Sequence, residues 1–329
     1  MTIAYDVTAI GNAMVDVIAT ADEAFLVSHG MAKGAMTLID EGRARVLYEA
    51  MGPGVEASGG SAGNTVAGVA SFGGRSAYIG KVAADQLGEV FAHDLRALGA
   101  TFSVKPLAGG PATGRCLINV TPDGERTMNT YLGAAIELTA DDVDPALIEG
   151  SRIVYLEGYL FDPPEARRAF AKAAGLARGS GRLVALTLSD AFVVERHREA
   201  LLGFIDTQVD VLFANESEIC SLFETDDFER AARSIAGRCG IAAITRSEQG
   251  SVILAGEERH VIAACPVEKV VDTTGAGDQY AAGFMFGLAR ERPLPECGKL
   301  GSLAAAEVIG HYGPRPGVSL SGLAALNGL

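Results

Sequence analysis

The chain of 329 residues has no tryptophan, and aromatic residues make up only 6% of it. Its hydrophobic content of 48% is carried by small and aliphatic side chains, with 41 glycines beside them. That predicts close approach between backbone elements in place of a core built on large rings. Positive charge is also scarce, since 27 basic residues against 41 acidic ones leave a formal charge of −14. Affinity for nucleic acid needs clustered Lys and Arg, so no such partner is expected. The five cysteines (Cys116, Cys220, Cys239, Cys265, Cys297) are odd in number, far apart and without a C-x-x-C pair. Neither a disulfide framework nor a zinc site is predicted. No run approaches the ~20 consecutive apolar residues of a membrane span. The opening MTIAYDVTAIGNAMVDV lacks the basic and then apolar pattern of a signal peptide. Together these absences predict a cytoplasmic protein with no membrane partner.

What is present is an alternation. Short apolar runs at 5–10, 77–79, 152–156, 183–186, 211–214 and 242–245 are separated by Ala-rich amphipathic stretches at 62–72, 86–98, 164–177 and 228–239. Strands that are apolar throughout, alternating with helices, predict an α/β fold with a doubly wound, mostly parallel sheet. The rhythm breaks at 12–40 and 101–120, where MVDVIAT, AMTLI, TFSVKPL and GRCLINV follow one another without a full-length helix. Antiparallel pairing suits these pieces, and they predict a small β-sheet lid over a ligand crevice. The core is then residues 1–11, 41–100 and 121–329. The Gly-Pro segment at 313–317 reads as a turn before a last short helix.

The segment Val271-Asp272-Thr273-Thr274-Gly275-Ala276-Gly277-Asp278 runs into a helical pattern. Glycines at a loop-to-helix junction leave backbone N–H groups bare, and with the helix dipole these form an anion site. Asp278 is out of place in a passive phosphate cradle and suits a general base beside the N–H groups of Ala276 and Gly277. An ordinary helix start with Asp in its first turn is the other reading of this spacing. No G-x-x-x-x-G-K-[ST] loop occurs. A second cluster, Ser58-Gly59-Gly60-Ser61-Ala62-Gly63-Asn64, also opens a helix, with Ser61 and Asn64 able to bond a polyhydroxylated ligand. Tight helix packing explains such glycines equally well.

DTTGAGD followed by a small-residue helix resembles the C-terminal signature of the ribokinase-like (PfkB) carbohydrate and nucleoside kinases, and SGGSAGNTVAGVASFGG resembles their N-terminal one. The two stand in the order the family places them, and the resemblance extends from the early GNAMVD to the Thr245–Gly250 turn. It implies a transferase using ATP and Mg²⁺. Asp278 would be the catalytic base, and Gly275, Ala276 and Gly277 the anion hole. Asp16, with Gly60 and Asn64, would grip vicinal hydroxyls of a sugar. Asn215 and Glu218 match the family's N-x-x-E, with Glu218 organising Mg²⁺ through water, although their spacing alone reads as a helix cap. Thr245 and Gly250 bound the nucleotide turn, in which Ser247 replaces the family's middle glycine. Asp272 and Thr274 match positions that bind K⁺ in many relatives, and Arg126 matches a residue that reaches the transferring phosphate. A solvated turn arginine is the other reading of Arg126.

The Ser61 form of the glycine cluster, where ribokinases carry lysine, resembles the adenosine kinase branch. That implies transfer to the 5′-hydroxyl of adenosine, with an apolar base slot drawn from Met36, Leu38, Tyr131, Leu132, Tyr159 and Leu160. The branch has two adjacent aromatics where this chain has Tyr159 and Leu160. Inosine, guanosine or a sugar (ribose, fructose, 2-keto-3-deoxygluconate) stay open as acceptors, as does a non-catalytic sensor. Monomer and homodimer are both compatible with the resemblance.

Overall fold

The computed structural model describes residues 2–329. Its strands are β1 (Tyr5–Ile10), β2 (Met14–Thr20), β3 (Met36–Leu38), β4 (Gly54–Gly59), β5 (Ser76–Ile79), β6 (Thr101–Phe102) and β7 (Gly114–Val120). They continue with β8 (Arg126–Tyr131), β9 (Ser151–Glu157), β10 (Leu183–Thr187), β11 (Val211–Asn215), β12 (Ile241–Thr245), β13 (Ser251–Ala255) and β14 (Glu258–Ile262). Nine of them form one sheet in the order β14-β13-β12-β11-β10-β9-β1-β5-β6. From β12 to β6 every pairing is parallel. The hairpin β13–β14 adds an antiparallel edge.

The central strands are apolar on both faces because helices cover both. Val154, Leu156, Leu186 and Leu212 pack in one core with Ala169, Phe170 and Leu201 from the helices Pro164–Gly179 and Ala191–Gln208. Ile153, Tyr155, Ala185 and Phe213 alternate with them and join a second core, with Val66 from Ser61–Ser71 and Phe284 from Ala276–Leu288. Each buried Leu, Ile or Phe adds about 1.5–3 kcal/mol of transfer free energy. The helix Ala276–Leu288 reaches its neighbour Leu294–Val308 at backbone distance, since a Cβ on Gly283 would stand 2.4 Å from the Leu300 carbonyl oxygen. This is the close approach that the small-residue composition predicts.

Strand order departs in both directions from β1, which lies between β9 and β5. The carboxyl ends there are in register, with Ile10 opposite both Leu156 and Ile79. A topological switch point of this kind opens a crevice beyond the strand ends, where α/β proteins place their ligands.

The small sheet runs β3-β8-β7-β2-β4. It differs from the sequence expectation in three ways. Pairings β2–β7 and β3–β8 are parallel, and only β2–β4 and β7–β8 are antiparallel. β4 and β8 belong to it although they lie outside 12–40 and 101–120. Thr101–Phe102 pairs with β5 in the large sheet instead. The pieces that pair here are far apart in the chain, and the polar RTMNTY of β8 carries no alternation that marks it as a partner. One face of this sheet is closed by the core, through Val15, Val17 and Leu117 against Leu47, Phe91 and Leu95. Among the described residues no helix is long and apolar enough to cross a membrane.

Candidate active site

The helix Ala276–Leu288 starts at the switch point, and its N-terminus is shaped by Gly275, which has φ +79° and would drive a Cβ to 2.7 Å from Pro314. The Ala276 N–H turns back to the Thr273 carbonyl at 3.2 Å. That bond engages one of the two N–H groups assigned to an anion hole. Gly277 stands in the first turn, whose N–H groups have no acceptor within the helix, and a Cβ there would meet nothing within 4 Å. Open space therefore lies over the positive end of the dipole.

Asp278 follows. One carboxylate oxygen accepts from the Ser61 hydroxyl at 2.6 Å and the other from Asn64 Nδ2 at 3.0 Å. Burial raises its pKa above the ordinary carboxylate value, and the bonds from Ser61 and Asn64 oppose that rise. The result is an oriented carboxylate that is a stronger base than one in water. Ser61 and Asn64, expected on an acceptor, are thus placed on Asp278. Gly60 allows this, since its φ of +85° turns the chain against Asn12, whose carbonyl oxygen would meet an added Cβ at 2.3 Å.

Beneath that turn lies Glu157, at the end of β9 and only 1% exposed. It accepts from Ala62 N–H at 2.9 Å, Asn12 Nδ2 at 3.0 Å and Asn12 N–H at 3.3 Å. It ties β1, β9 and the start of Ser61–Ser71 together, and burial pushes its pKa up to about 7. Nothing in the sequence marks this role, because Glu157 stands in no motif.

Asp16 lies on the open face of the small sheet. Paired residues in neighbouring strands share a face, so the register Leu38–Thr130–Cys116–Asp16 forms one row across β3, β8, β7 and β2. Met14, Ile18, Ile118, Met128 and Leu132 flank the row. This face is apolar with one carboxylate on it. Burial pushes Asp16 up to about 6, opposed by the charges of Arg315 and Arg126. Cys116 beside it is buried and hydrogen-bonded by Thr130. Its thiol is pushed up to about 12 by burial and the Asp16 charge, which makes it inert. Met36 and Leu38 remain exposed on the same face. Tyr131 is occupied elsewhere, with the Arg115 guanidinium 5.9 Å from its ring. Leu160 is fully buried in the large core and walls no slot. Tyr159 is half-buried at the end of β9, and its hydroxyl is held protonated by burial and the charges of Asp190, Glu157, Asp278 and Glu218. Both the base and Glu218 therefore lie within electrostatic reach of Tyr159.

Arg126 is no solvated turn residue. It begins β8 at 8% exposure, pairs with Asp272 at 2.9 Å and sits 5.7 Å from the Tyr312 ring. Its Nε and Nη1 are buried without a partner, which fits an anion. The Asp272 carboxylate is fully engaged. One oxygen accepts from Thr274 N–H at 3.1 Å and Oγ1 at 2.7 Å, and the other from Gly313 N–H at 2.9 Å besides Arg126. Four donors thus occupy the Asp272 oxygens, while the Thr274 hydroxyl spends its proton on Asp272 and keeps its lone pairs.

At the ends of β11 and β12 a cleft of about 790 Å³ is lined by Asn215, Glu216, Cys220, Thr245, Arg246 and Ser247, among others. Asn215 and Glu218 cap their helix reciprocally: Asn215 N–H and Nδ2 donate to Glu218 at 2.9 and 2.8 Å, and Glu218 N–H donates to Asn215 Oδ1 at 2.8 Å. Burial pushes Glu218 up to about 7. Among the described residues no group of three or more acidic, His or Cys side chains could hold a metal. That fits Mg²⁺ carried on nucleotide phosphates, which needs few protein ligands. The turn from Thr245 to Gly250 keeps a left-handed position where the family has glycine, because Ser247 itself adopts φ +49°. Gly250 closes the turn with φ +82°.

The family model "pfkB family carbohydrate kinase" matches residues 6–319. An adenosine kinase from Sinorhizobium meliloti is 56% identical, with a TM-score of 0.91 over 98% of this chain and 99% of that one. A probable sugar kinase from Rhizobium etli CFN 42 is 51% identical, with a TM-score of 0.93 over 100% of this chain and 99% of that one. Adenosine kinase 2 of Arabidopsis thaliana is 27% identical over 92% of this chain and 93% of its own length. With its ribokinase-like fold, the chain belongs to the pfkB family of carbohydrate kinases and is an ATP-dependent kinase acting on a hydroxyl group.

Proposed function

We propose that the protein transfers the γ-phosphoryl group of ATP to the 5′-hydroxyl of adenosine, giving AMP and ADP. The observation that carries this reading is the Asp278 carboxylate, held by Ser61 and Asn64 at the open N-terminus of a helix. A pure sensor has no use for a base so placed. The small-sheet face supports this acceptor, since one carboxylate stands there among apolar side chains. Asp16 accepts from sugar hydroxyls, and Leu132, Met128 and Leu38 offer the base an apolar surface. The S. meliloti relative, an adenosine kinase, supports the same choice.

In the reaction, Asp278 takes the proton of the attacking hydroxyl as the oxygen–phosphorus bond forms. The backbone of Gly275 and Gly277 and the unpartnered donors of Arg126 steady charge on the transferring group. Asn215 and Thr245 meet the nucleotide, with the Gly250 turn behind them. Glu218 would hold the water shell of a magnesium ion, which when bound would supply positive charge against the nucleotide phosphates.

A sugar acceptor is the second reading, favoured by the R. etli relative. ADP release with ATP and Mg²⁺ against adenosine, inosine, guanosine, ribose, fructose and 2-keto-3-deoxygluconate decides between them. A kcat/KM at least tenfold higher for adenosine, about 1.4 kcal/mol of transition-state binding, supports the proposal. Turnover on free sugars alone overturns it.

A further inference from the structure

The segment Gly313-Pro314-Arg315-Pro316 is bolted to the catalytic loop at three points. Gly313 N–H donates to Asp272 at 2.9 Å. The Pro314 carbonyl accepts from Gln279 Nε2 at 2.9 Å, and the same nitrogen donates to the Asn64 carbonyl at 2.9 Å. Pro314 also lies against Gly275, close enough that no larger residue fits there. One residue further on, Arg315 is fixed by prolines on both sides. Its Nε and Nη2 are buried and have no partner in the protein.

The charged and titratable groups facing Arg315 are Asp16, Asp94 and Tyr78. Asp94 already accepts from Ser58 N–H. No protein donor among the described residues hydrogen-bonds the Asp16 carboxylate. A guanidinium with two idle, buried donors thus lies within electrostatic reach of a carboxylate with no protein donor. Leaving the two buried guanidinium donors unmet is costly. A hydroxyl both donates and accepts, so one sugar O–H between them satisfies both: it donates to Asp16 and accepts from Arg315.

We propose that Arg315 is a specificity residue of the acceptor site, donating to a ring hydroxyl oxygen of the ribose whose proton Asp16 accepts. The inference rests on the nucleoside reading above. It gives the site a means of rejecting deoxynucleosides, because a missing hydroxyl leaves the guanidinium and the carboxylate unpaired together.

The test compares adenosine, 2′-deoxyadenosine and 3′-deoxyadenosine in the full-length enzyme and in Arg315→Met and Arg315→Lys. In Arg315→Met, kcat/KM for adenosine falls about a hundredfold, mostly through KM, with the KM for ATP unchanged. The penalty for one deoxy substrate relative to adenosine shrinks at least tenfold. Arg315→Lys recovers part of the discrimination, since one charged donor remains. A purely structural role moves all three substrates by one common factor, and that result overturns the proposal, as does an unchanged profile. If the wild type phosphorylates only free sugars, the nucleoside reading fails separately. The same ratio measured on a sugar and its deoxy analogue then decides the role of Arg315.

Discussion

Ser61 donates its hydroxyl to one oxygen of Asp278 at 2.6 Å, and the two residues lie 217 positions apart in the chain. This bond joins the two glycine-rich helix starts into one device, and it opposes the basicity that burial gives Asp278. A donor to the charged form lowers a carboxylate's pKa, so Ser61→Ala raises it further. The acid limb of the kcat profile then moves to higher pH, and the rate on that limb falls. Recovery at higher pH is the signature. A loss of equal size at every pH contradicts it.

Asp16, pushed up to about 6, must be ionised to accept hydroxyl protons as proposed. Below pH 6 it protonates, and kcat/KM for the acceptor falls about tenfold per unit. In Asp16→Asn that limb disappears from the pH profile, and kcat/KM at neutral pH drops by about a hundredfold. A limb near 6 that survives the substitution assigns the titration elsewhere.

Glu157 makes a statement about stability. Its folded pKa of about 7 lies above the ordinary value of 4.5, so the folded protein holds this proton more tightly than the unfolded chain. The associated stability is complete below pH 4.5 and is lost as pH rises through about 7, a span of about 3 kcal/mol. Denaturant melts at pH 5 and pH 8 measure it. Glu157→Gln narrows the gap between the two, and an unchanged gap contradicts the assignment.

Much of the large sheet was legible because each central strand is a continuous apolar run bounded by helix patterns. The runs at 152–156 and 211–214 correspond to Ser151–Glu157 and Val211–Asn215. The small sheet was legible in part, since its register depends on pairings between strands as remote as Asp16 and Cys116. The glycine clusters announced two helix starts. Their convergence on Asp278 is tertiary, and a local reading placed Ser61 and Asn64 on the acceptor instead. Arg126 could not be read as buried, because its neighbours Gly124 and Glu125 mark a turn and its partner Asp272 is remote. Arg315 was hidden by prolines that signal a turn, although an arginine locked between two prolines is itself a sign of a fixed guanidinium.

Ser247 shows strain retained in the turn from Thr245 to Gly250. Its φ of +49° disfavours any residue with a Cβ by about 1–2 kcal/mol, partly offset by the flexibility glycine adds to the unfolded chain. Ser247→Gly therefore stabilises the protein by about 1 kcal/mol or less in equilibrium unfolding. A destabilised variant contradicts the strain.

The central claim is that Asp278 removes the proton of the attacking hydroxyl. Single-turnover transfer from ATP to adenosine, measured in Asp278→Asn beside calorimetric binding of both ligands, tests it most directly. The account predicts that binding persists while the chemical step slows by about 10²–10⁴-fold. Transfer at a rate near that of the wild type would contradict it.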